Sequence, residues 1–191
     1  MDDAANLGFD DAAAAFGLGA IGAALSPEVA ALIAQAGLLR DQPGQALALL
    51  EQARVAAPRH PAPLIALYRF HFYGHNLAAA RDAGEDALAI ARTALGPDFG
   101  DVPPSDDAAR HDAAVRFYLF ALKGLAYLHM RLGAMDEARA LLTELRRLDP
   151  ADHVGGALLA HVLARHERGG EAGAGESPAA YPVRGWGGVG P

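Results

Sequence analysis

Cysteine is missing from this chain altogether. Disulfide staples, thiolate-ligated iron–sulfur clusters and cysteine nucleophiles are therefore excluded. Lysine is nearly missing: Lys123 is the single lysine among 16 basic residues, and the rest are arginine. The charge balance is acidic, a net −7 at pH 7. That argues against general binding to nucleic acid or to an anionic membrane, which calls for basic surface. Long apolar runs are missing too, since none reaches the roughly 18–20 residues that span a bilayer. The first residues, MDDAANLGFDD, are acidic where a secretory signal would be basic, so the expected location is the cytoplasm. Aromatic residues are only 7% of the chain, so the places where they cluster carry information. What the chain does have is apolar bulk, 52% of 191 residues and much of it alanine, enough for the core of one domain.

The clearest pattern is AAVRFYLFALKGLAYLHMRLGAMDEARALLTELRRLDP, residues 113–150. Phe117, Ala121, Leu125, Leu128 and Leu132 recur at three- and four-residue steps, which predicts one apolar helical face. Ala138, Leu141, Leu142, Leu145 and Leu148 repeat the pattern after a break at Gly133. Glycine can take the left-handed backbone that stops a helix. Asp136 and Glu137 suit the start of the second helix, and Pro150 disfavours helix at Asp149. The prediction is a helical hairpin with one apolar side, which needs neighbours to cover it.

Similar units precede it. Ser26-Pro27-Glu28 is a helix start, with a capping hydroxyl and a proline in the first turn. That helix is expected to reach about Arg40, and its partner to run from Gln45 to Ala57 with Ala46, Leu49, Leu50 and Ala53 on one face. Pro61 opens an aromatic-rich helix, LIALYRFHFYGHN, expected to break at Gly74. Its partner carries a seam of Ala80, Ala83, Ala87 and Ala91, small residues that let helices approach closely. A loop follows at residues 96–105. Ser105 then caps a helix expected to continue to Leu132, roughly 27 residues and roughly 40 Å long. A last helix is expected from Ala151 to about His166, offering Val154, Leu158 and Val162 to the hairpin before it. The domain organisation read from this is a loosely helical arm at 1–25, a helical domain at 26–166 and a disordered Gly-rich tail at 167–191. The arm contains Gly17-Leu-Gly19-Ala-Ile-Gly22, formally a dinucleotide fingerprint. An alanine run precedes it where a strand is required, so no cofactor is expected. Tyr181 and Trp186 of the tail read as incidental aromatics or as a short docking motif.

The small residue early in each second helix sets a repeat. Ala46 and Ala80 are 34 residues apart, and Ala138 follows after a further 34 and an insertion of 24. In this the chain resembles the tetratricopeptide repeat family, whose second helices place a small residue, a large one, a small one and then proline. Ala46, Leu50, Ala53 and Pro58 fit, as do Ala138, Leu142, Leu145 and Pro150. The middle unit departs, with Gly84 where the large residue belongs and Arg92 in place of proline. The resemblance implies an all-α fold, an α–α superhelix of about three hairpins plus a C-terminal capping helix. Stacking buries the face that one hairpin alone cannot. LYRFHFYGHNLAAA, RFYLFALKGLAYLHMRLGAMDEARALL and LDPADHVGGALLAHVL also resemble small uncharacterised tetratricopeptide proteins encoded among bacterial nitrogen-fixation genes. That resemblance implies, by context, a role near nitrogenase assembly or regulation.

In such stacks the first helices line a concave groove. The family pattern then implies Glu28, Gln35 and Leu38 in the first unit, and Ile65, Arg69, Phe72 and Tyr73 in the second. In the third it implies Phe120, Lys123, Tyr127, Met130 and Arg131, with His161 on the cap. Spacing independently puts Phe120, Lys123, Tyr127 and Met130 on one helical face, distinct from the Leu125–Leu132 face. Rings with basic heads suit a protein segment bearing apolar anchors and carboxylates. The same rings would equally serve to fill gaps between helices or to contact the N-terminal arm. The family's chaperone-tail binders use paired lysines and asparagines. Here the only asparagines, Asn6 and Asn76, fall off the groove face.

Two other classes stay open. His71 and His75, four apart, have a spacing that binds metal on a helix, and a metal- or cofactor-carrying protein would use them with His129. No third ligand is evident, and Arg69 nearby would repel a cation. A self-associating structural domain is the other alternative. The chain holds no P-loop, no G-x-S-x-G elbow and no H-E-x-x-H, so catalysis is not expected. The expectation is a non-catalytic adaptor or assembly factor.

Overall fold

The computed structural model describes residues 25–39 and 41–173. Most of the expected arm, with its glycine motif, and the tail beyond Gly173, with Tyr181 and Trp186, lie outside the described residues. Within them are eight helices: α1 Pro27–Leu38, α2 Pro43–Ala56, α3 Pro61–Tyr73, α4 Leu77–Leu95, α5 Asp106–His111, α6 Ala113–Leu132, α7 Met135–Leu148 and α8 Ala157–Gly173. The only sheet-like pairing among the described residues is an isolated bridge between Phe99 and Val102. The helices pack in series, α1 on α2, α2 on α3, α3 on α4, α4 on α6, α6 on α7 and α7 on α8. The expected all-α succession of three hairpins and a closing helix is the architecture the chain adopts.

The local signals act as chemistry requires. Ser26 Oγ accepts from the Val29 amide at 3.3 Å, and Gly133 takes φ 81° and closes α6. The largest differences from expectation lie at Asp112 and at the last helix. The long helix to Leu132 is in fact two helices. Asp112 sits at φ −74°, ψ 120°, ending α5 and starting α6. Its carboxylate accepts from the Ala114 and Val115 amides, each at 2.9 Å. A short acidic side chain that can satisfy two amides competes with helix continuation. The last helix begins at Ala157 and runs to Gly173, later at both ends than expected. Buried Asp149 and the exposed Asp152 organise the turns before it, accepting from the Val154 and Ala157 amides at 3.0 and 2.9 Å.

The core follows the predicted faces. Phe117, Leu125 and Leu128 of α6 and Ala138, Leu142, Leu145 and Leu148 of α7 are buried, whereas Leu132 is exposed. On α8, Leu163 is buried and Leu159 packs on the same cluster, while the expected Leu158 and Val162 are exposed. The alanine seam of α4 is buried along its whole length. Gly84 lies in that seam. A Cβ there would come 3.0 Å from Leu125 Cδ2 and 3.5 Å from the Tyr68 ring. The glycine that broke the repeat pattern is therefore what lets α4 meet α6 with a tyrosine wedged beside the contact. Helices α3 and α6, by contrast, make no close backbone approach.

Replacing Gly84 by leucine, the residue type the repeat pattern favours there, is expected to overpack this junction. Urea unfolding should show a loss of about 1–3 kcal/mol, whereas a repeat that merely tolerated glycine would gain stability.

Candidate binding groove

Because α3 and α6 stand apart on α4, a groove of about 630 Å³ opens between them. One wall is α3, through Ile65, Tyr68, Arg69, Phe72 and Tyr73. The other is α6, through Phe120, Lys123, Tyr127 and Arg131, and α8 closes one end with Leu158 and Leu159. Gly84 and Ala87 of α4 form part of the lining between them. Eight of the thirteen groove residues expected from the sequence thus share one cavity: Ile65, Arg69, Phe72, Tyr73, Phe120, Lys123, Tyr127 and Arg131. Met130 does not line it and packs, half-buried, on the core cluster of α6 and α7. Its step from Tyr127 carries it round the helix toward α7. Glu28, Gln35 and Leu38 of α1 and His161 of α8 are exposed and do not contribute to the lining.

The rings form a connected set. Phe72 stacks nearly parallel on Tyr68 with centroids 5.9 Å apart, meets Tyr73 edge-on at 5.4 Å, and reaches across to Tyr127 at 6.0 Å. These are the spacings at which aromatic pairs attract. Phe120 is 9% exposed and belongs to the core cluster as well as to the lining. Tyr73 is 62% exposed and Leu158 70%. Of the two readings left open for the aromatics, Phe120 thus leans toward the core, while Tyr73 faces solvent.

Sequence reasoning missed Tyr68. It stands three residues after Ile65 and four before Phe72, so helical spacing alone could have found it. Its ring is held between α4 and α6 by two glycines. A Cβ at Gly124 would come 3.3 Å from the Tyr68 hydroxyl. Burial pushes the Tyr68 hydroxyl up to about 12, with smaller contributions from Tyr127 and Tyr73.

The cations differ in their engagement. Lys123 Nζ donates to the Val154 carbonyl at 2.6 Å and lies 5.7 Å from the Phe120 ring centroid. Burial lowers its pKa from the usual lysine range, opposed by the charge of Asp152. It ties the start of α8 to the groove wall. Arg131 is exposed, donates to the Tyr127 hydroxyl at 2.8 Å and lies over that ring. Arg69 is half-buried on the opposite wall. No carboxylate stands among the described residues lining the groove. A smaller cavity of about 250 Å³ near α7 differs in this respect. Its Arg92 donates to the Phe99 and Pro97 carbonyls, and its Arg147 is paired with Glu144.

The histidines do not assemble. Helix α3 ends at Tyr73, and His75 lies past it with φ 59°, so the helical spacing assumed for His71 and His75 is lost. Burial lowers the pKa of His71, opposed by Glu51 and Asp82. His129 sits on α6, with Nε2 3.9 Å from Glu85. Among the described residues no three His, Asp or Glu side chains gather as a metal site. No described helix is long and apolar enough to cross a membrane.

The raised Tyr68 pKa has a signed consequence. The unfolded tyrosine ionises near 10, while the folded one keeps its proton to about 12. Stability is therefore complete below pH 10 and falls as pH rises through that window, by about 2–3 kcal/mol over two units. Urea unfolding at pH 9 and pH 11.5 should show the fall in the native chain and a smaller one in Tyr68→Phe.

No family model matches the chain, and no solved structure matches it. Over 147 residues the chain is 33% identical to a protein of Azotobacter chroococcum mcd 1, described as an uncharacterized 19.8 kDa protein in the nifW 5′ region. The match covers 74% of this chain and 81% of that protein.

Proposed function

The chain belongs to the family of that nifW-region protein, and from this premise we propose that it is a non-catalytic adaptor or assembly factor. Its groove binds a protein segment carrying carboxylates and apolar anchors. The repeat pattern of its hairpins supports reading it as of the tetratricopeptide type, and the gene region of its relative suggests nitrogenase assembly or regulation as the setting. The observation that carries the reading is the sign of the groove. Arg69, Lys123 and Arg131 line it beside five rings, without a carboxylate among the described lining, on a chain of net charge −7. Rings give anchoring area at low entropic cost, and arginine forks select carboxylates.

The two arginines are the residues to reverse, because Lys123 also holds the Val154 carbonyl and its loss would disturb α8. Arg69→Glu with Arg131→Glu is expected to keep the helical circular dichroism of the native chain. Binding of a fluorescein-labelled peptide of alternating aspartate and phenylalanine should weaken by at least about tenfold, which is 1.4 kcal/mol. Equal anisotropy titrations for the two proteins would remove the groove from the function.

A further inference from the structure

The groove's complement is present in the chain itself. Residues 1–24 contain Asp2, Asp3, Asp10 and Asp11 and no basic side chain, and the first arginine or lysine of the sequence is Arg40. Phe9 and Phe16 flank Asp10 and Asp11 closely, giving two rings and a carboxylate pair in one short stretch. The groove offers the opposite set, three cations and exposed ring surface.

We propose that residues 1–24 occupy the groove in cis, as an internal competitor that an external partner must displace. This rests on the groove's binding acidic, ring-bearing segments. The tether allows it. The segment joins directly to Leu25, and α1, which begins two residues later, packs on α3, the groove wall. Fully extended, a stretch of this length reaches about 80 Å, and a tether of this kind supplies an effective concentration of order millimolar. A weak contact is then sufficient for high occupancy. The segment at the other end, residues 174–191, carries one glutamate and one arginine and so lacks the charge to compete.

The absence of cysteine makes the test clean on the full chain. A nitroxide on Asn6→Cys is expected to abolish the amide signals of Arg69, Phe72 and Tyr127, and to spare exposed positions on α2 such as Val55. Mixing spin-labelled unenriched chain with unlabelled nitrogen-15 chain should leave those signals intact, because the contact is intramolecular. Asp10→Lys with Asp11→Lys should restore the signals in the labelled chain. It should also tighten binding of the aspartate–phenylalanine peptide about tenfold, the gain expected when a nine-tenths-occupied site is freed. Intact groove signals in the labelled chain overturn the proposal, as does broadening that appears only in the mixture or only from a label at Ala180→Cys. If peptide binding still depends on Arg69 and Arg131 while the groove signals stay intact, this inference falls and the groove reading stands. Loss of that dependence removes both.

Discussion

The contact between α4 and α6 governs the rest of the molecule. An alanine seam with a glycine at its centre lets α4 come close enough for Leu125 to pack where a Cβ would crowd it. Tyr68 fills the neighbouring space against Gly124. Close-packed interiors tolerate little change in volume, so the position of one ring beside this junction sets the separation of α3 from α6. The groove is a consequence of that separation. Had a large residue stood at Gly84, the contact would have been displaced and the cavity reshaped with it.

Charge is distributed against the average of the chain. The groove gathers Arg69, Lys123 and Arg131, and elsewhere on the described surface Arg54 pairs with Asp86, Arg139 with Asp136 and Glu167, and Arg147 with Glu144. Exposed pairs of this kind contribute little to stability. Lys123 has a double part. Its ammonium holds the Val154 carbonyl and thereby fixes the start of α8, so the helix that closes one end of the groove is positioned by a residue of the groove itself.

Part of the candidate site was legible from helical spacing and part only from the repeat resemblance. Residues three and four apart on one helix share a face whatever the helix packs against, which is why Phe120, Lys123 and Tyr127 could be grouped by spacing, whereas Arg69, Phe72, Tyr73 and Arg131 followed from the repeat pattern. The same rule misplaced Met130, because a step of three from Tyr127 rotates just far enough to reach the α7 side. It also failed for His71 and His75, since spacing along a helix means nothing once the helix has ended. The unbroken helix through Asp112 failed for a local reason: a carboxylate that accepts from two amides is a helix start even inside an otherwise helical run.

The sequence by itself determined the order of the helices, their capping residues and the faces they bury, because each depends on residues within a few turns of one another. It also determined the acidic balance and the absence of thiol chemistry, which are sums over composition. Only the tertiary structure decided that α3 and α6 stand apart, that Tyr68 is a wedge and that α1 takes no part in the groove. Those outcomes depend on volumes meeting across helices distant in the chain, and the space left by Gly84 has no meaning until Leu125 and Tyr68 are brought beside it.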